Sequence, residues 1–184
     1  VLIFHGTEGH PEENWFPWLK QELEQGDFIV HVPDFPSPPI LPAKISEWFD
    51  VLKDYEQCID EDAILIGHSL GGVFTLRVLE KLNHDIKAAC FVGTPIGVQP
   101  ILNYERDKAF SGFSFDFESI RDRAEHFVVY QSDDDPYVGI ENGEQLAHEL
   151  GVGLSLVPGA GHFHEQSGYT EFSLLRDKIF TLCR

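Results

Sequence analysis

The chain has 184 residues and a formal net charge of −18, from 31 acidic and 13 basic side chains. This negative charge argues against nucleic acids and anionic membrane surfaces as partners, since both would repel the protein. No apolar run reaches the roughly 18 residues that a membrane-spanning helix requires. Three widely separated cysteines disfavour a disulfide framework and indicate a reducing compartment, so we expect one cytoplasmic domain over residues 1–184.

Segments typical of strands and of helices alternate along the chain. Apolar runs of strand length predict strands at 1–5, 28–32, 63–66, 86–92, 126–131 and 153–157. Apolar residues at spacings of three and four predict helices at 15–25, 45–58, 70–82, 141–150 and 169–182. Residues 33–42 contain five prolines and are expected to form an extended loop. Residues 94–125 are long enough for a flap with a turn or two of helix, but too short for a full cap domain.

Six strands separated mostly by helices predict an α/β fold. Helices should cover both faces of a doubly wound, mostly parallel six-stranded sheet, giving three layers. Ligands of such sheets bind beyond the carboxyl ends of the strands. The loops after the first, third, fifth and sixth predicted strands should therefore meet at one edge, and functional residues are expected there.

The third predicted strand runs directly into a serine flanked by glycines. Residues 63–73 read AILIGHSLGGV, so a buried strand, a tight turn and a helix follow one another. A Gly-x-Ser-x-Gly pattern alone arises by chance in about one chain in twenty of this length, but the strand–turn–helix order is what a nucleophile elbow requires. Ser69 is therefore the predicted nucleophile, in a strained turn where Gly67 and Gly71 let strand and helix approach each other.

A serine nucleophile needs a base, and the base needs a group that orients it. The loop after the fifth predicted strand holds three consecutive aspartates. Asp135 precedes a proline and is the predicted acid, with Asp134 as the alternative. The loop after the sixth strand reads GAGHFH, and His162, which follows two small residues, is the predicted base. Without the serine, the aspartates would fit a solvated Asp-Pro turn and His162 with His164 a surface pair.

The oxyanion that forms during acyl transfer needs two hydrogen-bond donors aimed at it. One is expected from the backbone N–H of Leu70, directly after the serine at the start of a helix. The other should come from the loop after the first strand, which reads HGTEG at residues 5–9. The Thr7 N–H is the predicted donor and the Glu8 N–H the alternative. Taken alone, HGTEG would also fit a plain strand-to-helix turn.

Candidate substrate contacts come from loops at the same edge and from the flap. His10 and Phe35 lie in such loops and are weak candidates. Phe113 and Phe115, with two further phenylalanines of the flap, would either wall an acyl or alcohol pocket or attach the flap to the sheet. The histidines and acidic residues lack the spacing of a metal site, so we expect neither a metal nor a cofactor.

Seven motifs together resemble those of the α/β-hydrolase superfamily, and more narrowly the small lidless serine hydrolases of the YdeN and retinoblastoma-binding protein nine group. They are HGTEG, NWFPWL, PDFPSPP, ISEWFDVL, GHSLGG, SDDDPYV and GAGHF. The resemblance extends over nearly the whole chain and implies that the family's catalytic triad falls on Ser69, Asp135 and His162. The L-x-C-x-E motif with which the mammalian relatives bind pocket proteins does not occur here, so that partner is not implied.

The sequence therefore predicts a serine hydrolase of small carboxylic esters or activated amides that acts through an acyl-enzyme. A non-catalytic module that binds a protein or ligand on the same scaffold is the main alternative. A third reading, a metal-dependent hydrolase built on His162, His164, His10 and the aspartates, is disfavoured by the ligand spacing.

Overall fold

A computed structural model describes residues 1–37 and 43–183. Its centre is a five-stranded parallel sheet in the spatial order β1-β2-β3-β4-β5. The strands are β1 (Leu2–Phe4), β2 (Ile64–His68), β3 (Ile86–Val92), β4 (Ala124–Gln131) and β5 (Leu154–Leu156). Every residue of β1 and β2 is buried, as expected for strands that are covered on both faces.

Helices connect the strands and pack on both faces of the sheet. They are α1 (Phe16–Glu24), α2 (Ile45–Leu52), α3 (Leu70–Leu79), α4 (Tyr104–Ser111), α5 (Phe117–Arg121), α6 (Ile140–Leu150) and α7 (Ser173–Leu182). Pro17 lies in the first turn of α1, where its missing N–H costs no hydrogen bond. The predicted helix at 45–58 is α-helical to Leu52 and continues as a 3-10 helix to Cys58.

Alternate side chains of the strands enter two separate cores, one on each face of the sheet. Ile64 and Ile66 of β2 pack in one core with buried residues of α1 and α7. Leu65, between them, packs on the opposite face with α2, α3 and α6. This period of two follows from the pleat of the strand. The predicted three-layer α/β architecture is thus confirmed.

The predicted strand at 28–32 is not formed. Only His31 pairs with the edge of β1, through two backbone hydrogen bonds of 2.9 Å each. The Phe28 N–H instead donates to the Leu23 carbonyl at the end of α1, and Pro33 has no N–H to donate. Beyond His31 the pairing ends at Pro33, and before His31 it consists of one further bond, from the Val1 amino group to the Ile29 carbonyl at 2.7 Å. The segment therefore forms no regular strand, and the sheet has five strands rather than six.

The predicted flap at 94–125 contains α4 and α5 and is packed against the rest of the chain. Phe110 is buried, and its ring centroid lies 5.0 Å from that of Trp48 in α2. The Arg77 guanidinium lies 4.4 Å from the centroid of the Phe115 ring. The phenylalanines of this interval therefore attach α4 and α5 to the core that α2 and α3 share.

The second half of the predicted proline-rich loop, residues 38–42, lies outside the described residues. Residues 33–37 have no regular secondary structure. Within the part of the chain that the structure describes, no helix is both long and apolar enough to span a bilayer.

Candidate active site

The serine at the end of β2 sits in a strained turn. Ser69 has φ 52° and ψ −120°, in the positive-φ region that residues with a side chain rarely adopt. Its N–H donates to the Val92 carbonyl at the end of β3, 2.8 Å away, which fixes the turn to the sheet. A Cβ atom on Gly71 would lie 2.1 Å from the Phe4 carbonyl oxygen, so only glycine lets α3 begin this close to β1. The strand, strained turn and helix that a nucleophile elbow requires are thus formed.

A cavity of about 510 Å³ opens beside Ser69 at the carboxyl edge of the sheet. Loops after β1, β2, β4 and β5 contribute to its lining, as does α4 with the residues that precede it. The lining residues include Gly6, Thr7, Glu8, Glu13, His68, Ser69, Asn103, Arg106, Asp107, Tyr137, His162 and His164. The predicted convergence of distant loops at one edge of the sheet is therefore observed.

His162 and Asp135 form a buried hydrogen-bonded pair at this cavity. His162 Nδ1 lies 2.7 Å from Asp135 Oδ2, and the Asp135 side chain is fully buried. Its other oxygen, Oδ1, accepts hydrogen bonds from the backbone N–H groups of Tyr137 at 2.8 Å and Val138 at 3.1 Å. An ionised carboxylate can only accept a hydrogen bond, so His162 carries a proton on Nδ1.

The two aspartates before Asp135 connect the loop after β4 to the loop after β5. Asp134 Oδ1 accepts hydrogen bonds from the Ser132 hydroxyl at 2.6 Å and the Gly161 N–H at 2.8 Å. These bonds, that from Ser132 most strongly, lower the pKa of Asp134. Asp133 accepts a hydrogen bond from the Gly159 N–H. Asp133 and Asp134 therefore hold the loop after β5 in the place where His162 meets Asp135.

The side chains of His68 and Trp15 form hydrogen bonds to the backbone of the His162 loop. His68 Nε2 donates to the His162 carbonyl oxygen at 2.8 Å, and Trp15 Nε1 donates to the Phe163 carbonyl oxygen at 3.0 Å. Burial lowers the pKa of His68 to about 3, so its ring is neutral at physiological pH. Both residues are buried. They fix the backbone that carries His162, and neither is needed as a proton carrier.

Ser69 and His162 line the same cavity but are not directly hydrogen-bonded. Among the described residues, the imidazole of His162 bonds only to Asp135, so its Nε2 atom has no protein partner there. Hydrogen bonds between catalytic groups are often long before substrate is bound. When His162 is neutral and carries its proton on Nδ1, its Nε2 atom is free to accept a hydrogen bond from a hydroxyl group.

The loop after β1 lies directly against Ser69. A Cβ atom on Gly6 would lie 2.9 Å from Ser69 Cβ and 3.4 Å from Ser69 Oγ. The Glu8 N–H donates to the Ser37 hydroxyl and is therefore occupied. No hydrogen bond within the described residues uses the N–H of Thr7, which lines the cavity. Leu70 is the first residue of α3, where a backbone N–H has no partner within the helix.

The four predicted substrate contacts do not line the cavity. His10 is exposed, and its Nε2 atom lies 3.8 Å from Oε2 of Glu13. Phe35 is 2% exposed, because its ring stacks on Trp48 in the core with 4.5 Å between centroids. The other two, Phe113 and Phe115, pack against the core or against neighbouring flap residues. The structure therefore favours the alternative in which aromatic residues attach the flap.

Charged and polar residues line the cavity where aromatic ones were expected. Arg106 and Asp107 of α4 and Tyr137 after β4 were not predicted as site residues. The sequence did contain an indication for Asp107. It stands three residues before the apolar Phe110, so both would lie on the same face of a helix. A carboxylate on a buried helix face is uncommon and indicates a special role. No group of three or more metal-ligand side chains suited to an ion occurs within the described residues.

Comparisons with known proteins agree with this geometry. A family model described as serine hydrolase matches residues 1–180. The YdeN protein of Bacillus subtilis (strain 168) is 29% identical over 179 residues, which cover 97% of this chain and 93% of that protein. The serine hydrolase RBBP9 of Rattus norvegicus is 29% identical over 161 residues, which cover 86% of this chain and 80% of that protein.

Solved structures share the architecture. The crystal structure of the ydeN gene product of B. subtilis matches with a TM-score of 0.90 at 29% identity, over 99% of this chain and 97% of that chain. Est1E from Butyrivibrio proteoclasticus, solved with ferulic acid bound, matches at 16% identity with a TM-score of 0.70, over 97% of this chain and 85% of that chain, and so shares the fold. The chain belongs to the serine hydrolase family and has the α/β-hydrolase fold.

Proposed function

We propose that the protein hydrolyses small carboxylic esters, with activated amides as a second class, through a triad of Ser69, His162 and Asp135. The observation that carries the proposal is the 2.7 Å contact between His162 Nδ1 and the buried Asp135 carboxylate, beside a serine in an elbow turn. A serine hydroxyl is a weak nucleophile until a base removes its proton. The His162 Nε2 atom is the base that this arrangement offers.

The first half of the reaction forms an acyl-enzyme. Ser69 Oγ attacks the carbonyl carbon while His162 Nε2 takes the hydroxyl proton, and Asp135 stabilises the resulting imidazolium. The negative charge on the former carbonyl oxygen is bound by the Thr7 and Leu70 N–H groups. The intermediate then collapses, and the proton on His162 passes to the departing alkoxide, which leaves as an alcohol.

The second half of the reaction returns the enzyme to its starting state. Water loses a proton to His162 Nε2 as it attacks the acyl carbon, and the same N–H groups bind the second oxyanion. The proton then returns to Ser69 Oγ as the carboxylic acid leaves. Every proton is carried by His162, so the reaction requires neither a metal nor an organic cofactor.

The size and polarity of the cavity support a small substrate. Its volume of about 510 Å³ lies in the lower half of the range of ordinary ligand sites. The flap phenylalanines are packed into the core, so they supply no apolar wall for a long acyl chain. Esters with two to four acyl carbons are therefore expected to react faster than esters with long chains.

A panel of p-nitrophenyl esters with increasing acyl length tests the proposal. We expect kcat/KM to be highest for acetyl or butyryl esters and Ser69→Ala to reduce it at least about a thousandfold. Ser114→Ala, which alters an exposed serine of the flap, is the matched control and should leave the rate unchanged. Full activity of Ser69→Ala would rule out the proposed nucleophile, and a preference for long chains would rule out the small-substrate class.

A further inference from the structure

Helix α4 contributes a buried carboxylate to the cavity that the proposed reaction does not use. Asp107 is only 6% exposed, yet it belongs to the lining of the cavity together with Ser69 and His162. Removing a carboxylate from water is costly unless hydrogen bonds or an opposite charge compensate for it. The contacts of Asp107 therefore indicate whether it serves the fold or a ligand.

The protein compensates the carboxylate of Asp107 only in part, through an ion pair with Arg106. The Oδ1 atom of Asp107 is buried without a hydrogen-bond partner in the part of the chain that the structure describes. Asp107 forms an ion pair with Arg106, but the 3.7 Å between Nε and Oδ1 exceeds hydrogen-bond distance, and this Nε atom also has no hydrogen-bond partner among the described residues. That guanidinium is itself hydrogen-bonded to Glu8, with 3.0 Å between Nη1 and Oε1. Two carboxylates thus share one arginine, and the one that forms no hydrogen bond is the buried one.

The fixed charges around the cavity favour a cation. Glu8, Glu13 and Asp107 line it against the single guanidinium of Arg106. The buried ring of His68 adds no positive charge, because its pKa is about 3. Burial raises the pKa of Asp107 to about 6, which still leaves the group mainly ionised at pH 7.5. An ammonium group entering the cavity would supply the hydrogen bond and the charge that Asp107 lacks.

We propose that Asp107 is a specificity residue that binds a protonated amine of the substrate, so that the preferred esters are small amino esters. This inference rests on the proposed ester hydrolysis and adds the substrate class to it. Because Asp107 and His162 line one small cavity, the amine should lie only a few bonds from the scissile carbonyl group. Whether it belongs to the acyl or the alcohol part of the ester is decided by the experiment.

The test compares cationic esters with neutral esters of the same shape at pH 7.5. In the acyl arm, p-nitrophenyl 3-aminopropanoate is compared with p-nitrophenyl butanoate. In the alcohol arm, 2-(dimethylamino)ethyl acetate is compared with 3-methylbutyl acetate. We expect kcat/KM to favour the cationic member at least about tenfold in one arm, as a hydrogen bond between charged groups would give.

Two isosteric substitutions on α4 separate Asp107 from general electrostatics. Asp107→Asn keeps the shape but removes the charge, and should bring the cationic-to-neutral ratio close to one. Glu105→Gln removes an equal charge from an exposed position on the same helix and should leave the ratio unchanged. Equal kcat/KM within both pairs for the unaltered protein, or a preference that Asp107→Asn preserves, would overturn the inference.

Thermal unfolding provides a second measurement. If Asp107 only stabilised the fold, Asp107→Asn would lower the Tm, whereas a ligand-binding role predicts a higher Tm. A buried, unsatisfied carboxylate opposes folding at pH values above its pKa in the unfolded chain, so Asp107→Asn should have a higher Tm than the unaltered protein at pH 7.5. The difference should shrink near pH 4, where the carboxyl group is protonated in the folded state. A lower Tm for Asp107→Asn at pH 7.5 would assign the carboxylate to the fold and overturn the inference.

The outcomes also distinguish this inference from the proposed function. Hydrolysis of p-nitrophenyl acetate that depends on Ser69, without any preference for amines, would overturn the inference alone. Absence of hydrolysis for all of the esters would overturn the ester hydrolase and the inference together.

Discussion

Three consecutive aspartates after β4 make two different kinds of contact. Asp133 and Asp134 accept hydrogen bonds from the loop that carries His162, whereas Asp135 accepts one from the His162 ring itself. Adjacent carboxylates therefore act differently: Asp134 holds the loop in place, and Asp135 orients the His162 ring. Composition and spacing favoured Asp135 through the following proline, but only the hydrogen bonds separate it from Asp134.

Replacing each of these two aspartates by asparagine tests the assignment of the acid. In Asp135→Asn, the amide would donate to His162 Nδ1 and force the proton onto Nε2, so the imidazole could no longer accept the serine proton. We expect kcat to fall by about 10³–10⁴. The measurement is steady-state kinetics on p-nitrophenyl acetate.

Asp134→Asn is the matched control, since its remaining oxygen can still accept hydrogen bonds from Ser132 and Gly161. Its kcat should stay within about threefold of the unaltered protein. If the two substitutions had exchanged effects, Asp134 would be the acid and the observed His162 contact would not be the productive one.

The turn between β2 and α3 is the element that places Ser69, the proposed nucleophile. It depends on the close approach of the start of α3 to the end of β1, where Gly71 meets the backbone oxygens of Phe4 and His5. Backbone atoms at the end of a buried strand cannot move aside as a flexible side chain can. The Gly-x-Ser-x-Gly pattern is therefore as much a packing requirement as a chemical one.

Substitution of this glycine by alanine should destabilise the whole fold. A Cβ atom on Gly71 would lie 2.1 Å and 2.6 Å from two carbonyl oxygens, so we expect Gly71→Ala to lower the free energy of unfolding by about 3 kcal/mol. Gly153→Ala is the control, because a Cβ atom there meets nothing within 4 Å, and it should change the free energy by less than about 1 kcal/mol. Urea denaturation measures both, and equal stabilities would show that α3 can shift away from β1.

Secondary structure could be predicted where the pattern and the packing agree. Strands that are buried on both faces, such as β2 and β3, stand out in the sequence because all but one residue of each is apolar or small. Residues 28–32 have the same composition but lie at the outer edge, where α1 and Pro33 occupy or remove the hydrogen-bonding groups. Composition alone does not show whether an apolar segment at the edge of the sheet pairs as a strand, because the pairing depends on backbone hydrogen bonds made by residues outside the segment.

The candidate residues Ser69 and His162 could be named from the sequence, whereas the residues that line the cavity beside them could not. Ser69 and His162 lie in short motifs whose spacing carries the chemistry. Phe35 was placed at the right edge of the sheet, but its ring turned into the core to stack on Trp48. Asp107 belongs to α4, in the interval where the sequence predicted a flap with a turn or two of helix but no positions for it. The spacing between Asp107 and Phe110 indicates a shared helix face, but only the packing of α4 on the rest of the chain brings Asp107 to the cavity.

At the scale of the whole molecule, the site exists only because distant parts of the chain meet. His162 lies 93 positions after Ser69 in the sequence, and both line one cavity. If Ser69 is activated as proposed, its reactivity depends on the folded chain, and unfolding should abolish it. A fluorophosphonate probe reports this directly, since it forms a stable phosphonyl ester with an activated serine and reacts slowly with an ordinary one.

The measurement that tests the account most directly is the site of fluorophosphonate attachment, found by peptide mass spectrometry on folded and urea-unfolded protein. We predict a single adduct on Ser69 of the folded protein, loss of labelling on unfolding, and labelling slowed at least about a hundredfold in His162→Ala. No adduct on the folded protein, or an adduct on another serine with Ser69 unmodified, would contradict the account.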